Sequence, residues 1–126
     1  MKKLCLLSLL ICVGVFSKMQ AQNLKNDCEF LKSTTLIYHA ISLFDEAKDG
    51  ETADILSSLK KDVDKINAIH KSLSAKYPND KDLKVFTMWV DVTQKSYSLL
   101  KEDDNTWQLA YSLLKLDLKD FINESY

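Results

Sequence analysis

The chain has 126 residues, a formal net charge of −1 and a hydrophobic share of 46%, enough apolar material for one core and no more. All 17 basic residues are lysines, so the planar guanidinium fork that reads phosphates and base edges is missing, and nucleic acid is excluded as an expected partner.

Lys2 and Lys3 form a positive start, followed by a nearly unbroken apolar run from Leu4 to Phe16 that Lys18 closes. The run is shorter than the roughly 20 residues of a membrane-spanning helix, so it predicts a cleavable secretory signal over residues 1–21. Ala21 supplies the small residue before the cut and Gln22 becomes the new N-terminus. This layout, with its Gln20-Ala21-Gln22 ending, resembles bacterial export signals, and the resemblance covers the leader alone. It implies an exported product, periplasmic or secreted, with no stable membrane span after cleavage. Lipid attachment at Cys12 is the weaker alternative, because bulky Ile11 precedes it and the apolar run continues beyond it. Cleavage removes three of the 17 lysines and none of the 18 acids, leaving a mature domain, residues 22–126, with a formal charge of −4.

Four helices are expected in that domain, over about 24–48, 52–77, 80–101 and 105–123. The first carries Phe30, Ile37, Ile41 and Phe44 on one face and ends at Asp49-Gly50, where glycine accepts the left-handed geometry that closes a helix. Thr52 is the expected cap of the second, whose Leu56, Leu59, Val63, Ile66, His70, Leu73 and Tyr77 recur at steps of three and four like a coiled-coil seam. Pro78 stops it, because proline disfavours helical geometry at Tyr77 and has no N–H to donate. Asn79 or Asp80 caps the third, with Phe86, Val90, Thr93, Tyr97 and Leu100 as its main stripe and Leu83 and Trp89 flanking it. The fourth follows the capping cluster Asp103-Asp104-Asn105-Thr106 and buries Trp107, Ala110, Tyr111, Leu114, Leu118 and Phe121. Acids at helix starts and lysines at helix ends complement the helix dipoles. Short connections between such helices predict an all-α fold, an antiparallel up-down-up-down four-helix bundle preceded by the signal peptide.

Motifs for chemistry are sparse. Cleavage would take Cys5 and Cys12 away with the leader, so no internal disulfide is expected, and Cys28 is expected either as a small buried thiol on a stripe with Leu24, Leu31, Thr35 and Tyr38 or as an intermolecular disulfide thiol. His39 lies about 16 Å along the same helix at ~1.5 Å per residue, too far to act as its base. His39 and His70 have no acid or cysteine at zinc-site spacing, and no Glu-x-x-His pair of the di-iron type occurs. Haem held by His70 and Met88 is disfavoured because Met88 falls opposite Phe86 on the helix. With Asp45 as the first ligand of a calcium loop, Ala47 would fill the third position and Leu56 the twelfth, so that register fails. No metal or cofactor is expected, and no catalytic constellation is visible.

Two apolar stripes exceed what one core absorbs. Leu109, Leu113 and Leu116 oppose the buried face of the fourth helix, and Val85, Val92 and Leu99 run beside that of the third. Together they form the candidate interaction surface, unless the first helix or its Leu24 and Leu31 portion folds across them. The expected role is therefore a non-catalytic interaction module, of inhibitor, immunity or adaptor type, whose partner is another protein or a second copy. A small-ligand or cofactor carrier, with a cavity lined by Tyr38, His70, Trp89 and Tyr97, is the alternative, and an enzyme comes third.

Overall fold

The computed structural model describes residues 23–50 and 52–125; the expected signal segment, its cleavage site and Gln22 lie outside them. A 3-10 turn, Leu24–Asn26, leads into four α-helices: α1 (Cys28–Ala47), α2 (Ala53–Lys76), α3 (Asp82–Lys101) and α4 (Trp107–Ser125). No strand occurs among the described residues, and the architecture is all-α with four helices, consistent with a four-helix bundle.

Side-chain oxygens set the starts of α1, α3 and α4. The first α-helix starts at Cys28 rather than near Leu24, because Asp27 adopts extended backbone geometry and its Oδ1 accepts the Glu29 N–H at 2.8 Å. Asn23 meanwhile accepts the Asn26 N–H, holding the 3-10 turn as a separate unit. Short polar side chains offer the backbone this alternative to a continuous helix. Gly50 closes the α1–α2 connection at a φ of 146°, a geometry that side-chain-bearing residues rarely adopt. Thr52 precedes α2 but makes no side-chain capping bond. Asp80 does the capping for α3, its Oδ1 accepting the Asp82 N–H at 2.8 Å. At the start of α4, Asp104 accepts both the N–H and the hydroxyl of Thr106.

Each helix contributes one apolar face to a shared core. Phe30, Ile37 and Phe44 of α1 meet Leu59, Ile66 and Leu73 of α2, Phe86 and Trp89 of α3, and Tyr111, Leu114 and Leu118 of α4. Burial of each such side chain stabilises the fold by about 1.5–3 kcal/mol. Rings dominate two sites. Phe30 packs edge-on to Phe86 and stacks on Trp89, which meets Phe121 edge-on at 4.8 Å. At the other site Phe44 stacks against Trp107 and Tyr111, bringing the last turns of α1 against the first turn of α4.

Polar contacts link distant segments around this core. The Leu24 N–H donates to Asp80 Oδ2 at 2.8 Å, tying the 3-10 turn to the start of α3, while Leu24 itself is completely buried. Asp27, at the start of α1, accepts from Lys76 and Tyr77 at the end of α2. His39 pairs with Asp62 near the middle of the same two helices.

Candidate interaction surface

An α-helix returns to the same side every 3.6 residues, so on α4 the core-facing set Trp107, Tyr111, Leu114 and Leu118 leaves Leu109, Leu113 and Leu116 on the opposite side. These leucines are 66%, 58% and 61% exposed. Two polar contacts fix the rotation of α4 about its axis. On its α3 side, the Trp89 Nε1–H donates to Asp117 Oδ2 at 2.5 Å. On its α1 side, the Tyr111 hydroxyl donates to Asp45 Oδ1 at 2.8 Å, and Lys115 Nζ lies 3.1 Å from Asp45 Oδ2. With both flanks pinned, turning the leucines inward would break both contacts and expel Tyr111 and Leu114.

The three α3 residues expected beside them behave differently. Val85, Val92 and Leu99 are half-buried and pack against the core, so α3 supplies only a partly exposed margin while α4 supplies the open apolar face. The expected cover is not in place. Leu24 enters the core at the foot of α3, and Leu31 is exposed on α1. The Cys28 stripe divides likewise: Leu24 is buried, Leu31, Thr35 and Tyr38 are exposed, and Cys28 opens α1 half-buried.

The turn before α4 is acidic. Glu102, Asp103 and Asp104 are all exposed, and none is in an ion pair among the described residues. Asp103 adopts a left-handed φ of 60°, and the chain reverses there with the Asp104 N–H donating to the Leu99 carbonyl at 2.8 Å. Hydrogen bonds from the Thr106 backbone and hydroxyl hold the Asp104 carboxyl below its ordinary range. Partial burial pushes Asp45 upward, but the bonds from Tyr111 and Lys115 and the charges of Lys115 and Lys48 outweigh it, so Asp45 also lies below its ordinary range. Both remain anions at neutral pH.

The histidines take separate places. His39 is exposed and hydrogen-bonded through Nδ1 to Asp62, a nearly buried carboxylate 23 residues away on α2, a partnership that sequence spacing does not reveal. His70 is half-buried, with Nε2 2.9 Å from the Thr87 hydroxyl and its ring against Phe86. Of the residues expected to line a cavity, Tyr38 stands on the surface of α1, whereas Trp89 is enclosed by Phe30 and Phe121. Among the described residues no three His, Cys, Asp or Glu side chains come together as metal ligands, and no helix is long and apolar enough to cross a membrane. No protein-family model matches this chain, and neither the curated proteins nor the solved structures provide a match.

Proposed function

We propose that this chain is an exported, non-catalytic protein-interaction module of inhibitor, immunity or adaptor type. Its mature domain, residues 22–126, is read as an antiparallel up-down-up-down bundle acting in the periplasm or outside the cell. The antiparallel reading is supported by Tyr77 meeting Asp27 at opposite ends of α2 and α1, and by α4 running past α1 from Asp45–Tyr111 to Phe30–Phe121. The observation that carries the interaction reading is the outward leucine face of α4. Contiguous exposed apolar surface marks protein contacts, and here it persists although α4 has a complete core-facing stripe of its own.

Affinity capture with the mature protein from its own envelope fraction tests this reading when run beside Leu113→Lys. A partner held by the parent and lost by a folded Leu113→Lys variant supports it, because an ammonium at the centre of an interface is costly to desolvate. Equal capture by both proteins refutes it.

A further inference from the structure

We infer that the Leu109–Leu113–Leu116 face docks a cationic amphipathic helix, one with an apolar stripe at steps of three and four and lysines or arginines at the end lying over the α3–α4 turn. This rests on the interaction reading and adds the chemistry of the partner. From Asn105 to Leu114 the chain carries no charged side chain, so the first two turns of the face are apolar and neutral. Immediately before them stand the exposed Lys101, Glu102, Asp103 and Asp104, which together carry a net charge of −2, and none of the four is in an ion pair among the described residues. The end of α1 adds to the same charge: Phe44 stacks on Trp107, which places the exposed Glu46 and Asp49 at the same end of the fold. Lys48, just past the end of α1, lies over the Tyr111 ring, and Lys115 is held by Asp45 on the α1 side. A neutral apolar stripe with a negative end is complemented by a helix that is apolar along one side and positive at one end.

The other occupants fit less well. Three leucines at these exposures leave on the order of 300 Å² of apolar surface. A stable dimer buries about 800 Å² from each copy, somewhat more than half of it apolar, which is more than these leucines alone supply. An anionic bilayer would be repelled by the acidic end that approaches it together with Leu109.

Two synthetic helices test the inference against the mature chain by fluorescence anisotropy. Both carry leucines at helical spacing; one has three terminal lysines and the other has glutamates in their place. The lysine peptide is expected to bind at least ten-fold more tightly, to weaken as salt is raised, and to lose most of that advantage with the double variant Glu102→Gln/Asp103→Asn. Asparagine tolerates the left-handed backbone at position 103, and Asp104 keeps its cap on Thr106. Leu113→Lys and, as a milder second variant, Leu109→Gln are both expected to abolish peptide binding with unchanged circular dichroism. Equal binding of the two peptides, or no effect of the double variant, overturns the inference. So does a dimer in sedimentation that Leu113→Lys dissolves, which assigns the face to a second copy. If Leu113→Lys abolishes capture of the envelope partner while the lysine peptide fails to bind, the interaction reading stands and the charge assignment falls; if the variant affects neither, both fall.

Discussion

Asp27 caps α1 and, through its other carboxylate oxygen, accepts a 2.5 Å hydrogen bond from the hydroxyl of Tyr77, the residue that terminates α2 fifty positions later. Lys76 adds an ion pair to the same oxygen at 3.0 Å. One carboxylate thus ends one helix, begins another and joins the two.

Asp27→Ala should cost about 2 kcal/mol, combining a lost cap with a lost interhelical bond, and Tyr77→Phe about 1 kcal/mol. Denaturant melts give both values. Burial alone would raise the Asp27 carboxyl, but the bonds from Tyr77, Lys76 and the Glu29 N–H lower it below its ordinary value. A depressed folded-state value means that this stabilisation is complete above the unfolded value of about 4 and is lost as pH falls through the folded value. Asp27→Asn should therefore flatten the acid limb of the stability profile below about pH 4 while lowering stability at pH 7.

Leu113 and Leu114 are adjacent in sequence and opposite in environment, 58% and 2% exposed. Leu114→Ala should cost about 2–5 kcal/mol by leaving a cavity, whereas Leu113→Lys should move the melting temperature by no more than a surface substitution does. Similar losses for both variants would place Leu113 in the core and remove the interaction face.

Gly50 has open space where a side chain would begin, so a substitution there tests backbone geometry alone. At a φ of 146°, Gly50→Ala should cost about 1–2 kcal/mol without any steric clash. Equilibrium unfolding that shows no loss would mean that the connection relaxes to a different turn.

The exposed His39 is the hydrogen-bond partner of the nearly buried Asp62 carboxylate. His39→Leu should destabilise by about 1–3 kcal/mol because it leaves that carboxylate without this partner, while His39→Leu/Asp62→Leu should recover much of the loss. A double-mutant cycle with no coupling would show the pair to be energetically idle.

Export carries its own expectation. Under the proposed processing, the intact mass of the envelope or culture-medium product corresponds to a chain beginning at Gln22. A product that retains residues 1–21, or one that bears lipid on Cys12, rejects that processing.

The faces of the helices were legible because burial follows period: Leu59, Val63, Ile66 and Leu73 of α2 all face inward, and the excess leucines of α4 stood out as a second stripe with no room in the core. By spacing Trp89 flanks the α3 stripe, yet it lies at the centre of an aromatic cluster. Helix α3 buries a wider arc than a single stripe, because α4 packs along the side that carries Trp89. The break at Asp27 leaves no distinct trace in the sequence, because a capping aspartate inside an otherwise helical pattern looks like one more surface acid. His39–Asp62 and Trp89–Asp117 were beyond reach for a different reason. Each joins two helices, and a pairing set by tertiary register leaves no spacing signature in one sequence.

The Leu24–Asp80 bond changes how the domain meets a mechanical load. A pull on the chain at Asn23 reaches Leu24 first, and through its amide is transmitted to Asp80, 56 residues on at the foot of α3, before any turn of α1 is strained. Leu24 is fully enclosed, and Lys25 lies over the Phe121 ring on α4, so the 3-10 turn is held by that helix as well. Force applied at this end therefore has to shear the turn from α3 and α4 together. Peeling α1 away one turn at a time, the softer route, opens only after that joint has failed.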